Sequence, residues 1–111
     1  MAQMSKRERV MRTVNLQETD RVPIYDLVQN DGLIEHFTGQ RLTVEDGARL
    51  TGMAIGRCLD MTRSAGGPQA SGVYTREDGV VIQRERWTSW IIERPWHDHA
   101  SLVEWVKREI E

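Results

Sequence analysis

Residues 21–28, RVPIYDLV, set Val22, Ile24, Tyr25, Leu27 and Val28 on both alternating faces of an extended segment. Apolar residues on both faces predict a strand covered on each side, as in a parallel sheet. Pro23 has no backbone N–H and belongs at the strand's entrance, so pairing runs from Ile24 to Val28 and the strand ends near Asp26 to Gln29. Upstream, Ser5 and Glu8 form a capping-box pattern. Val10, Met11 and Val14 then share one helical face, with Lys6, Arg9 and Arg12 turned to water. Downstream, Asn30 or Asp31 caps a short helix carrying Leu33, Ile34 and Phe37, which Gly39 stops.

Thr43 and Asp46 repeat the capping signal before a longer helix. Its stripe is Val44, Ala48, Ile55 and Leu59, with Thr51 between them and Leu50, Ala54 and Cys58 widening it. Gly47, Gly52 and Gly56 each cost such a helix roughly 1 kcal/mol relative to Ala, so the spacing calls for a neighbour packed closely against it. CLDMT, residues 58–62, reads as a second short buried strand. Residues 1–63 are thus read as a helix followed by strand–helix–strand units, and the Gly/Ser loop 64–71 divides the chain. Beyond it, GVYT and VVIQRERWTSWII flank Glu77, Asp78 and Gly79, which predicts a β-hairpin within 72–95. Residues 96–111 hold a last helix from about Ser101, where Glu104 completes another capping box, striped by Leu102, Val103, Val106 and Ile110.

The chain has 111 residues, of which 15 are Lys or Arg and 17 are Asp or Glu, so its formal charge is −2 and it lacks the basic field of a general nucleic-acid binder. Its single cysteine, Cys58, closes neither an intrachain disulfide nor a multi-thiolate zinc site. No stretch approaches the ~18 apolar residues of a membrane span, and the reading is a cytoplasmic chain with neither nucleic-acid nor membrane partners. One incomplete domain of 1–111 is expected, because an acidic residue follows the last stripe position where a helix stop signal would stand.

Polar groups at the carboxyl ends of parallel strands are where such proteins bind ligands, which singles out Asp26 and Asp31 after the first strand and Asp60 with Arg63 at the second. An Asp beside an Arg is equally the pattern of a plain ion pair. His97, Asp98 and His99 bring metal-ligand types together, but the stretch fits a helix start capped by Asp98 better. Trp87, Trp90 and Trp96 suit the pinning of a hairpin onto a helix more than a stacking platform.

SKRERV (5–10) followed by TDRVPIYD (19–26) resembles the opening of the uroporphyrinogen decarboxylase-like superfamily, an Arg-containing helix, an acidic-Arg-x-Pro turn and a first strand. ARLTGMAIGRCLDMTRSAGGP (48–68) resembles the helix and second strand that follow, and EDGVVIQRERWTSWIIERPW (77–96) the hairpin with the family's Asp-Gly and aromatic signature. The resemblance implies an α/β fold, the amino-terminal part of a (β/α)8 TIM-type barrel with a β-hairpin excursion. It implies part of a decarboxylase or a corrinoid-linked methyltransferase, with Asp60 in a catalytic role and Asp26, Asn30 and Arg63 binding substrate. No metal site and no cofactor are expected in this segment. The family's substrate-binding arginine pair has no counterpart in DLVQNDG (26–32), so the chain alone is expected not to decarboxylate uroporphyrinogen.

The expected partners are the remainder of the barrel or a second copy of the chain, with room left for a small-molecule ligand. The alternative is a noncatalytic truncated module or small subunit that binds a protein partner through exposed strands and a Trp-rich hairpin.

Overall fold

Short capped helices occupy the first half of the chain and an antiparallel sheet most of the second. The computed structural model describes all residues 1–111. The elements are α1 (Lys6–Val14), α2 (Asp31–Thr38), α3 (Gly47–Cys58), β1 (Gly72–Thr75), β2 (Val81–Arg84), β3 (Ser89–Glu93) and α4 (His99–Ile110). They divide into two compact units, Met1–Pro68 and Gln69–Glu111.

In the first unit α1 and α2 begin where a side chain satisfies a free amide. Ser5 Oγ accepts from Glu8 N at 3.2 Å, and Asn30 Oδ1 accepts from Leu33 N at 2.9 Å. Gly39, at φ 68°, closes α2 in the left-handed conformation that glycine adopts without steric cost. The α3 helix starts later than its Thr43 signal: Asp46 is the N-cap, and its amide donates to Thr43 Oγ1 at 3.3 Å. The buried face of α3 is Gly47, Leu50, Thr51 and Ala54, while Ala48 and Val44 face outward. Of the expected stripe, Leu59, Thr51 and the widening residues Leu50 and Ala54 lie in the core with Ile34, Leu42 and Val28.

The close approach expected along α3 occurs at one glycine. A Cβ on Gly47 would lie 2.5 Å from Pro68 Cδ, and one on Gly67 would lie 2.3 Å from the carbonyl carbon of Gly47, so the 64–68 loop lies directly on the start of the helix. Gly52 and Gly56 have no such neighbour.

The barrel expectation is overturned here. The sheet of this chain is three-stranded and antiparallel, in the order β1-β2-β3, and residues 22–28 and 58–62 form no strands. What joins those segments is a single parallel bridge, Tyr25 with Met61, in which Ile24 O accepts from Asp60 N at 2.9 Å and from Met61 N at 3.2 Å. The physical reason is coverage. A parallel pair is stable when both faces are buried, yet Val22, Ile24, Tyr25 and Met61 are largely exposed and only Val28 and Leu59 reach the core. The apolar pattern was real, but without flanking strands the ladder stops after one bridge.

In the second unit β1 pairs with β2 from Gly72–Arg84 to Thr75–Val81, around a turn closed by Arg76 N to Val80 O at 2.9 Å. Gly79 takes φ 86° in that turn, the conformation the Asp-Gly signal calls for. The sheet does not stop at one hairpin: residues 85–88 turn the chain again, and β3 pairs back on β2 with a bulge at Val81/Ile82. The α4 helix starts at His99 through a reciprocal cap, Ser101 N to Asp98 Oδ1 at 2.8 Å and Asp98 N to Ser101 Oγ at 3.1 Å. Trp96 and Trp105 meet with centroids 4.6 Å apart, and Trp105 Nε1 donates to Asp78 O at 2.8 Å, which ties α4 to the β1–β2 turn. No helix is long and apolar enough to cross a membrane.

Candidate functional site

The polar centre of the first unit is built on an arginine that the pattern of α1 assigned to water. Arg9 is 2% exposed, whereas Met11 and Val14 of the expected apolar face are exposed. A buried guanidinium is tolerable only when its donors are met, and four of its five N–H groups are. Nε donates to Asp20 Oδ1 at 2.6 Å, Nη2 to Asp20 Oδ2 at 2.8 Å and to Met4 O at 2.7 Å, and Nη1 to Asp60 Oδ1 at 2.6 Å. The two contacts with Asp20 are the fork-to-fork geometry that only arginine supplies.

Asp60 stands at the other side of the cluster with a side chain fully shielded from solvent. Besides Arg9 it accepts from Arg21 Nη1 at 2.6 Å, Arg21 Nη2 at 3.1 Å and the Ile24 amide at 2.8 Å. The Arg21 guanidinium is the main influence holding the Asp60 carboxyl down to about 2, with the Ile24 amide and Arg9 assisting against burial. Arg9 and then the Met4 amide hold Asp20 well below the usual carboxylate range, and Asp20 in turn raises Arg9. Two cations and two carboxylates therefore balance, and α1, the 19–24 segment and the 59–61 segment are fastened together at one point.

Every acceptor direction of Asp60 is thus occupied. A carboxylate so engaged is a weak base and donates no proton at neutral pH; what it does here is position Ile24 and the bridge beside it. Asp26 is exposed, and its Oδ1 accepts from the next amide, Leu27 N, at 2.7 Å. Arg63 is exposed and makes neither a hydrogen bond nor an ion pair. Because the Tyr25–Met61 bridge is parallel, the chain leaves it toward Asp26 and toward Arg63 in the same direction. Asn30 is spent on capping α2.

The reading of the sequence found Asp60 but missed Arg9, Asp20 and Arg21. The available signal was Asp60 itself, an acid inside an apolar run that requires a cation from elsewhere. Among His, Cys, Asp and Glu side chains no group of three gathers as metal ligands, and Asp98, between His97 and His99, is committed to its cap. In the second unit a shallow depression lined by Tyr74, Thr75, Arg76, Asp78 and Glu109 has its arginine paired with Asp78. Compared with protein-family models, curated proteins and solved structures, the chain finds no match.

Proposed function

We propose that this chain supplies the amino-terminal portion of a uroporphyrinogen decarboxylase-like enzyme, a decarboxylase or a corrinoid-linked methyltransferase of the cytoplasm. The supporting observation is the ion cluster. Arg9 comes from SKRERV, Asp20 and Arg21 from TDRVP, and Asp60 from CLDM, so three separate stretches that carry the resemblance meet at one buried point.

In this reading Asp60 is a positioning residue. Asp26 and Arg63, leaving the bridge by the same end and open to solvent, are the groups that contact substrate, and Asn30 sets the start of α2. The segment itself carries no cofactor, and the remainder of the enzyme is its partner. The test is reconstitution with the polypeptide encoded next to or beyond this chain, assayed for porphyrinogen decarboxylation and for methyl transfer from a corrinoid to a thiol. Activity that needs both parts and falls in Asp26→Ala and Arg63→Ala is expected. Reconstituted activity unchanged by both substitutions would remove the assigned roles, and inactivity of a well-folded assembly on both reactions would remove the enzyme reading.

A second reading, a noncatalytic module that binds another protein, is favoured by one feature. Val22, Ile24, Tyr25 and Met61 lie exposed around the isolated bridge, a surface suited to an added strand.

A further inference from the structure

We infer that Gln69 is a latch for β3: its side chain holds the 85–88 turn closed, and when it lets go β3 opens while the β1–β2 hairpin and α4 stay in place. The inference rests on the second unit alone and goes beyond the proposed activity. Glu85 N donates to Thr88 O at 2.8 Å, which leaves Arg86 and Trp87 as a two-residue loop between β2 and β3. Such loops favour type I′ or II′ turns, which match the twist of the strands and need φ > 0 at one or both central residues. Neither Arg86 nor Trp87 has a positive φ, Leu16 being the only non-glycine that does. The turn is therefore of a kind that splays the strands it joins.

Gln69 supplies what the turn lacks. A side-chain amide has two N–H donors, and both are spent across the turn: Nε2 donates to Glu85 O at 2.9 Å and to Thr88 O at 2.9 Å. The Gln69 backbone amide donates to Arg86 O at 2.9 Å, so one residue from outside the sheet binds three of the four turn residues. Burial adds little to β3, whose five residues are all exposed, and the bulge at Val81/Ile82 interrupts its pairing with β2. The neighbouring elements have ties of their own. Trp105 Nε1 fastens α4 to Asp78 O in the β1–β2 turn, and Pro95 lies against Gly79 of the same turn, where an added Cβ would meet Pro95 Cβ at 3.2 Å. Neither tie passes through β3, so the latch governs that strand and not the rest of the unit.

Hydrogen exchange of the full chain, read by NMR, tests this. Glu85–Thr88 is a hydrogen-bonded pair of the ladder, so Gln83–Trp90, two residues along, is another, and the Trp90 amide reports the β2–β3 pairing. Arg76–Val80 sets Tyr74–Ile82 in the same way, and the Ile82 amide reports the hairpin. In the unsubstituted chain Trp90 should be about tenfold or more less protected than Ile82. Gln69→Glu, which replaces both donors with a carboxylate facing two carbonyl oxygens, should lower Trp90 protection by about another tenfold, and Gln69→Ala should act in the same direction. The Ile82 amide and the Trp105 indole N–H should keep their protection. Ser71→Ala, which removes only the bond from Ser71 Oγ to Glu85 Oε2, should leave Trp90 unchanged. Equal protection of Trp90 and Ile82 in the unsubstituted chain, a result that needs no variant to fold, would overturn the proposal. So would Trp90 exchange indifferent to both Gln69 substitutions, equal losses at Ile82 and the Trp105 indole, or an equal loss from Ser71→Ala.

Discussion

The first unit buries Met4, Val28, Ile34, Leu42, Leu50, Ala54 and Leu59 around a balanced set of charges, whereas the second buries Val80 alone among its hydrophobic residues and is held by turns, caps and an indole hydrogen bond. The difference shows two ways for a small unit to specify its shape. One draws distant segments to a point at which each charge requires the others. The other uses local hydrogen bonds that need no deep core, and it leaves sheet edges and faces open.

The contrast can be broken most forcefully at Arg9. Arg9→Met keeps the length of the side chain but leaves Asp20 and Asp60 buried with part of their donors gone, and the midpoint of thermal unfolding should fall by about 15 °C or more, read by the helical circular dichroism signal. A shift of a few degrees would mean that the apolar core, not the ion cluster, holds the first unit.

Gly67→Ala tests the other constraint on that unit. Its Cβ would press on the backbone of Gly47, and displacing the loop from α3 should cost about 3 kcal/mol in urea unfolding. Gly52→Ala, with no neighbour in reach, should not destabilise and serves as the control.

The smallest effect is expected in the second unit. Trp105→Phe removes the donor to Asp78 O but keeps an aromatic ring against Trp96, so a loss of about 1 kcal/mol is expected. All four tryptophans lie in this unit, so the fluorescence of those that remain reports its unfolding. A loss several times larger would show that α4 is held chiefly through this one bond.

What the sequence made legible follows the same division. Local signals were read at their positions around α2, at Asn30 and Gly39, and at Asp78-Gly79 in the β1–β2 turn, whereas the last helix, expected from about Ser101 with Glu104 completing its cap, starts at His99 because Asp98 is the cap and Ser101 its reciprocal partner. Asp60 stood out as an acid beside Arg63 near the end of the expected second strand, the place where a parallel sheet gathers polar groups. Arg9 did not, since KRER looks like a solvated helix face until acids from residues 20 and 60 are brought against it. The 22–28 and 58–62 segments misled for a related reason. Their apolar pattern states what they need on both faces, and strand formation depends on whether that cover is present. The second turn, at 85–88, carries no Gly or Pro, so β3 merged with β2 in the reading of the sequence.

The central claim is that one buried ion cluster joins the three motifs, and the titration of Asp60 tests it most directly. A carboxylate whose folded-state pKa is depressed contributes stability that is fully present above its unfolded value near ~4 and is lost as the pH falls through the folded value. Asp60 and Asp20 should therefore support the first unit through neutral and mildly acidic pH and release it only in strong acid, while Arg9, already cationic throughout, adds no dependence in that range. Carbon-13 chemical shifts of the Asp60 carboxyl, followed from neutral pH downward, should give a midpoint of about 2 coincident with loss of the first unit's helical signal. A midpoint near the ordinary ~4 with the helices intact would contradict the account, because an Asp60 that titrates freely is not the point at which the three segments are joined.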